Sequence, residues 1–294
     1  PLLPFPPAVM FSLNRVDLIG YQTQPLTVRQ TPGGTSVVDM NLVVPYSFQS
    51  GKGEMLSGKS FHTVTLWGSM ADFASQYVRA GSQVFVSGRL QTDAWEDTES
   101  KEKRSKTKVV ALDLILLDPK DGQKSAPSDA RLTAGSVNNA QVIGNVTRDP
   151  EMRTTTSGQH VLTIGVATNE RWKDKASGET KERTEFHNVV IWGELADEVQ
   201  KTIHKGSRVF VAGRVQTRSW ETKEGQKRTT TEIIADNVSL LGIKNPEIAS
   251  NIQEDGRAPV SEDSSEPEMA AANVSMKAPS VSYESDVKPE DLPF

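Results

Sequence analysis

Most of this chain is written twice, and that constrains its fold before anything else does. Phe61-His-Thr-Val-Thr-Leu-Trp-Gly68 returns as Phe186-His-Asn-Val-Val-Ile-Trp-Gly193. Ser12-Leu-Asn-Arg-Val-Asp-Leu-Ile-Gly20 returns as Ser136-Val-Asn-Asn-Ala-Gln-Val-Ile-Gly144. Gly81-Ser-Gln-Val-Phe-Val-Ser-Gly-Arg-Leu-Gln-Thr92 returns as Gly206-Ser-Arg-Val-Phe-Val-Ala-Gly-Arg-Val-Gln-Thr217, and the offset is 124 or 125 residues throughout. Solenoid repeats recur every ~20–50 residues. A unit this long is a whole domain, and 294 residues leave room for two.

Within each copy the pattern is that of strands. Val64 and Leu66, like Val189 and Ile191, fall on one parity, the period of a half-buried strand. Phe61 and Trp67, and Phe186 and Trp192, fall on the other. Rings that face away from the apolar core need another partner. In the second copy, strands are expected over Val137–Val146 with a bend at Gly144, over His160–Thr168, over Glu185–Trp192, over Ser207–Gln216 and over Arg228–Leu241. A polar hairpin turns at Gly178. Leu195, Val199 and Ile203 recur at helical spacing over Glu194–His204, as Met70, Ala74 and Val78 do in the first copy, and Gly206 is expected to end that helix. Five strands with one helix between the third and fourth is the order of an OB barrel. The expected architecture is all-β: two five-stranded Greek-key OB barrels, 11–118 and 135–242, a linker over 119–134, and a tail from 243 to 294. The tail is rich in Glu, Ser, Pro and Ala without hydrophobic period and is expected to be disordered. Residues 1–9 read as an extension ahead of a true start at Met10.

Charge divides the same way. The chain carries −5 overall, but residues 243–294 hold 11 acidic and 4 basic side chains, which leaves 29 basic and 27 acidic residues in the body. An acidic tail therefore conceals a slightly basic body, and any phosphate binding must come from placement rather than total charge. There is no cysteine, which removes thiolate catalysis, disulfides and cysteine zinc sites. No apolar run is long enough to span a membrane. No P-loop, nucleophile-elbow or zinc-protease motif appears, and no metal set forms around His62 or His187. These two sit on the core parity and read as hydrogen-bonded histidines at a domain or subunit contact. His160 and His204 read as surface. The chain is expected not to be an enzyme, to need no cofactor or metal, and to reside in the cytoplasm.

Thr147-Arg-Asp-Pro-Glu-Met-Arg153, Ala167-Thr-Asn-Glu-Arg-Trp172, Glu185-Phe-His187, Trp192-Gly193 and Gly206-Ser-Arg-Val-Phe-Val211 resemble bacterial single-stranded DNA-binding protein (SSB). The terminal Glu290-Asp-Leu-Pro-Phe294 is similar to the acidic peptide that ends that family. Two copies in one chain resemble the tandem, two-OB form, which associates as dimers that present four OB folds. The resemblance implies base stacking by Trp172, Phe186, Trp192 and Trp220 in the second copy and by Phe48, Phe61, Trp67 and Trp95 in the first. Trp172 and Phe48 are expected in loops, and Trp95 and Trp220 just beyond the fourth strand beside a mobile loop. Phosphate contacts are expected from Arg153, Lys173, Lys181, Arg214, Arg218, Lys227 and Arg228, with Arg29 and Arg89 in the first copy. An aromatic strip edged by cations is what a sequence-independent groove requires. Glu290, Asp291, Leu292, Pro293 and Phe294 are implied to dock replication, recombination and repair proteins: a charged lead, a restricted backbone and an apolar anchor.

The first copy departs from the pattern. Arg148-Asp-Pro-Glu151 becomes Gln24-Pro-Leu-Thr27, Arg218 becomes Asp93, and Arg171-Trp172-Lys173 becomes Ser47-Phe48-Gln49, so the first copy is expected to bind DNA more weakly. Two other readings stay open. One is an RNA-binding OB protein, because stacking does not by itself exclude a 2′-OH. The other is a primosome-like architectural adaptor with a degenerate first copy.

Overall fold

Alternation in the sequence becomes alternation of burial. Along β1 (Leu13–Gln22), Val16, Leu18, Gly20 and Gln22 turn inward and the residues between them outward. The computed structural model describes residues 12–49, 55–96, 103–118, 135–156, 158–173, 178–221 and 227–242. The expected linker at 119–134, the expected extension at 1–9 and the expected tail at 243–294 lie outside them. The first repeat continues with β2 (Val28–Gln30), β3 (Ser36–Gln49), β4 (Met55–Trp67), α1 (Ser69–Tyr77), β5 (Gln83–Glu96) and β6 (Lys103–Leu116). The second runs β7 (Val137–Val146), β8 (Glu151–Thr154), β9 (His160–Lys173), β10 (Thr180–Trp192), α2 (Gly193–Thr202), β11 (Arg208–Glu221) and β12 (Lys227–Leu240).

Each repeat closes on itself. In the first, β3, β4, β6, β5 and β1 are neighbours in that order, and β1 returns to β3 through Tyr21↔Val43 and Gln22↔Leu42. The β4–β6 pairing is parallel and the rest are antiparallel. The second repeat repeats the circuit, closing β7 on β9. These are the two expected five-stranded OB barrels, and β2 and β8 are short additional strands along the edges of β3 and β9. Closure needs β1 to bend where it leaves β5 for β3, and Gly20 sits there: a Cβ on it would lie 2.7 Å from the Val43 carbonyl oxygen. Gly144 meets the Ala167 carbonyl in the same way. Val16, Leu18, Met40, Leu42, Val64, Leu66, Val84 and Val86 fill the first barrel, and Val142, Leu162, Ile164, Val189, Ile191, Val209 and Val211 fill the second.

The helices cap the barrels with small residues. Ala71 and Ala74 are buried from α1 and Ala196 and Val199 from α2, and the residues that follow each helix, Val78 and Ile203, are buried as well. Met70 and Leu195 are only partly buried against the core. Gly206 does not end α2. The helix stops when Ile203 turns to extended backbone, and Gly206 follows in a turn at φ +90°, donating its N–H to the Val146 carbonyl at 2.8 Å. No helix among the described residues is long and apolar enough to cross a membrane.

The repeats are not separate bodies. β1 pairs antiparallel with β7 from Leu13↔Ile143 to Ile19↔Val137, so both barrels share one 12-stranded sheet. The register is self-complementary. Arg15 faces Gln141 while its repeat-equivalent Asn139 faces Asp17, and Val16 faces its own equivalent Ala140. A pseudo-two-fold axis therefore passes through the Val16/Ala140 pair.

Candidate nucleic-acid interface

The outer faces of β4 and β10 carry the exposed rings. Phe61 is 59% exposed and Phe186 68%, while Trp67 and Trp192 are each 43% exposed. One same-face position between the rings of each strand packs down: Thr65 is buried and donates its hydroxyl to Asp39 Oδ1 at 2.7 Å, and Val190 is buried in the second repeat. Each tryptophan ends its strand because Gly68 (φ +56°) and Gly193 (φ +62°) turn the chain toward the helix in a backbone region that glycine adopts freely. Between the two rings of one strand lie six residue steps, about 20 Å at strand rise.

The other aromatics lie on strands, not in loops. β3 runs through Phe48, β5 through Trp95, β9 through Trp172 and β11 through Trp220. Sequence reading ended these strands too early because their outer halves alternate nothing: from Asn169 to Lys173, and again from Thr180 to Glu182, every residue is exposed. They survive as paired hairpin arms. Trp172 pairs with Lys181, Trp95 with Arg104 and Trp220 with Arg228, so three of the four arm aromatics have a base directly across. Trp172 and Trp95 are exposed; the side chains of Phe48, Trp220, Lys227 and Arg228 lie outside the described residues. In register, Trp172 is an odd number of residues from Phe186, so a flat arm would turn the two rings to opposite faces.

The expected cations divide into two groups. One lines grooves beneath the terminal tryptophans. In the second repeat a groove of about 540 Å³ runs beside Trp192 with Arg148, Arg153 and Arg218 at its walls. In the first, a groove of about 200 Å³ lies beside Trp67 with Arg29 and Lys108. Most of these cations have carboxylate partners. Arg153 meets Glu151 at 3.3 Å, Arg29 meets Asp39, and Arg218 makes a two-pronged pair with Glu232, Nε to Oε2 at 3.0 Å and Nη2 to Oε1 at 2.8 Å. Lys173 and Lys181 are exposed on the β9–β10 arm.

The Arg218→Asp93 replacement that marked the first copy as weaker has a counterpart the sequence comparison missed. Val64↔Val109 and Val189↔Ile233 fix the repeat register, which makes Lys108 the equivalent of Glu232. Lys108 and Asp93 pair at 2.6 Å. The same ion pair is present in both barrels with its polarity reversed. Partial burial works to raise the Asp93 carboxyl, but hydrogen bonds from Lys108 and Gln91 and the charges of Lys108 and Arg183 outweigh it and hold the group below the usual carboxylate range.

The second group of cations joins the repeats instead. Arg89, expected on phosphate, is only 18% exposed and pairs with Glu170 of the other barrel at 3.4 Å. Its equivalent Arg214 lies 5.9 Å over the ring of Tyr46, the equivalent of Glu170, and 3.5 Å from Asp236. The Tyr46 ring in turn crosses Gly58, its partner on β4, where a Cβ would stand 2.6 Å from the ring. Related contacts thus use an ion pair on one side and a cation–π stack on the other. On the ionic side Glu185, though buried, accepts the Thr92 N–H at 2.9 Å and pairs with Arg183 at 2.5 Å.

His62 also belongs to this region, while its equivalent His187 bonds within its own repeat. His187 Nε2 lies 2.9 Å from Thr168 Oγ1, and His62 Nε2 lies 3.5 Å from Asn138 Nδ2 of the second repeat. Burial pushes both imidazoles down to about 4. His160 is a surface residue paired with Asp197 at 2.7 Å.

Comparison with known proteins agrees with this geometry. The model of the single-strand binding protein family matches twice, at residues 13–117 and 137–241. A single-stranded DNA-binding protein of Thermus aquaticus is 34% identical over 227 residues, covering 76% of this chain and 82% of that protein. One from Rickettsia conorii is 46% identical over 117 residues, covering 38% of this chain and 77% of that protein. The crystal structure of the wild-type Thermus aquaticus protein superposes with a TM-score of 0.62 at 29% identity, over 80% of this chain and 96% of that one. Duplicated OB barrels, outward rings on the third long strand of each and a family match over both repeats lead to one conclusion: this chain belongs to the single-strand binding protein family.

Proposed function

We propose that the protein coats single-stranded DNA without sequence preference, protects it and removes hairpins during replication, recombination and repair. The observation that carries this reading is the pair of exposed rings on the outer face of each duplicated strand, Phe61 with Trp67 and Phe186 with Trp192. Every base has a π-face, so stacking tolerates any sequence and supplies roughly 1–3 kcal/mol per base. The exposed arm aromatics Trp172 and Trp95 extend the strip. Lys173, Lys181, Arg153, Arg218 and Arg29 supply positive charge beside it, with Lys227, Arg228, Phe48 and Trp220 completing the set; Arg89 and Arg214 serve the contact between barrels. Hairpin removal is mass action: a protein that binds the unpaired state draws the duplex toward it. No catalysis or cofactor enters this scheme, and the setting is the nucleoid in the cytoplasm.

The second element of the proposal is a homodimer that aligns four OB folds. The shared sheet presents two cross-strand apolar rows on its outer side, Ile115–Phe85–Ile19–Val137 and Leu13–Ile143–Phe210, related by the pseudo-two-fold. A second copy brings matching rows. The third element is recruitment of replication and repair proteins by Glu290–Phe294.

Tryptophan fluorescence on addition of oligo(dT) tests the first element; quenching is expected, and its absence removes the stacking scheme. Competition by oligo(U) separates DNA from RNA binding. Light scattering of the wild type and of Phe85→Glu tests the dimer, and a monomeric wild type overturns it. Deleting Asp291–Phe294 is expected to abolish partner binding and spare DNA binding.

A further inference from the structure

Two of the three groove arginines in the second repeat are already neutralised, Arg153 by Glu151 and Arg218 by Glu232. The third, Arg148, has no carboxylate partner among the described residues, and its seat is specific. Thr147 Oγ1 covers Gly165 of β9, 2.4 Å from where a Cβ would stand, and the Arg148 guanidinium lies beside it, with Nη1 at 3.3 Å and Cζ at 3.7 Å from the same point. Gly165 pairs with Asn188, and Asn188 lies on the exposed face of β10 between Phe186 and Trp192. The guanidinium is thus held beside the middle of the interval between the two rings, in the groove that Trp192 borders. Nothing equivalent exists in the first repeat. Arg148 becomes Gln24, Gly165 becomes Asn41, and Asn41 Oδ1 is 3.4 Å from the hydroxyl of Thr63, which replaces Asn188.

We infer that Arg148, packed beside Thr147 over Gly165, is the main phosphate contact between Phe186 and Trp192, and that this residue, not Arg218, makes the two barrels unequal. The inference rests on the proposed DNA binding. An arginine without a carboxylate neighbour gains a new partner when a phosphate arrives, whereas Arg153 and Arg218 must exchange one anion for another. Because a planar fork can address two phosphate oxygens at once, an arginine at this seat binds and orients the backbone while the rings on either side take bases.

The test is the salt dependence of oligo(dT) binding by the full chain, followed by tryptophan quenching. Each phosphate contact on a single strand contributes about 0.7 to the slope of log K against log salt concentration. Arg148→Gln is expected to lower the slope by about 0.7 and Arg148→Lys to keep it, while Arg153→Gln and Arg218→Gln lower it by less, because each already shares its charge with a carboxylate. A wild-type slope in Arg148→Gln, with a lowered slope in Arg153→Gln or Arg218→Gln, overturns the assignment while leaving DNA binding intact. A wild type that binds no oligo(dT) removes both the assignment and the reading beneath it. Arg148 is exposed, so its variants fold; unchanged circular dichroism and melting confirm that a slope change comes from the lost contact.

Discussion

Acid should loosen this protein through two histidines. His62 and His187 are buried with no carboxylate partner among the described residues, and burial lowers both from the ordinary 6.5 to about 4. A folded-state value below the unfolded one means the unfolded chain binds more protons between pH 4 and 6.5, so stability falls as pH drops through that window. Both imidazoles are neutral at pH 7.5, and the cost there is negligible. At pH 5 the unfolded histidine is almost fully charged and the folded one almost fully neutral, and linkage gives about 2 kcal/mol lost per histidine, or about 4 kcal/mol for the pair. Protonation also leaves two N–H donors on His62, facing the Asn138 amide that now donates to it. Urea unfolding of the wild type and of the His62→Gln/His187→Gln double variant at pH 7.5 and 5.0 measures this. The wild type should lose about 4 kcal/mol more than the variant over that interval. Equal losses in both proteins would refute the argument, because the carboxylates common to both would then explain all of the acid sensitivity.

Other consequences are as direct. Trp192→Ala and Trp67→Ala should each weaken oligo(dT) binding by roughly 5- to 150-fold, the range set by one stacked base, with little change in the urea midpoint measured alongside; a large stability loss with unchanged affinity would make these rings core residues. Asp93→Arg sets a cation against Lys108 and should lower the melting temperature, and adding Lys108→Glu should restore it by rebuilding the polarity of the second repeat; a double-mutant cycle by thermal unfolding should return a coupling of about 0.5–1 kcal/mol. Salt should weaken the Arg89–Glu170 contact more than the Arg214–Tyr46 stack, so Arg89→Ala should cost less stability at 1 M than at 0.1 M salt, as the screening length shrinks from about 10 to 3 Å; Arg214→Ala, which also removes the exposed pair with Asp236, should show a smaller salt dependence.

Local sequence pattern reaches the barrels and stops at the hairpin arms. Strand parity and helix spacing are carried by residues a few positions apart, and the duplication by a constant offset of 124 or 125, so the barrels, the buried parity of Val189 and Ile191 and the outward parity of Phe186 and Trp192 were all present in the sequence. The hairpin arms were not, because residues exposed on both faces leave no alternation; only pairing with the opposite strand keeps Trp172 and Trp95 in register. Arg89 and Arg218 look alike as basic residues on the same repeated strand. One is bound to a carboxylate 81 positions away in the other barrel and one to a carboxylate 14 positions away in its own. Net charge and motif cannot separate them.

The sequence by itself determined that there are two all-β units of one design, which face turns inward, and that aromatic rings stand on the other face, because burial parity follows from the two-residue period of a strand. Only the tertiary structure decided that the units share a sheet about a pseudo-two-fold through Val16 and Ala140. It also decided that Asp93 is answered by Lys108, and that Arg148, with no carboxylate partner among the described residues, lies beside the Phe186–Trp192 interval. Those outcomes depend on which strands become neighbours, and a cross-strand partner leaves no mark at any fixed spacing along the chain.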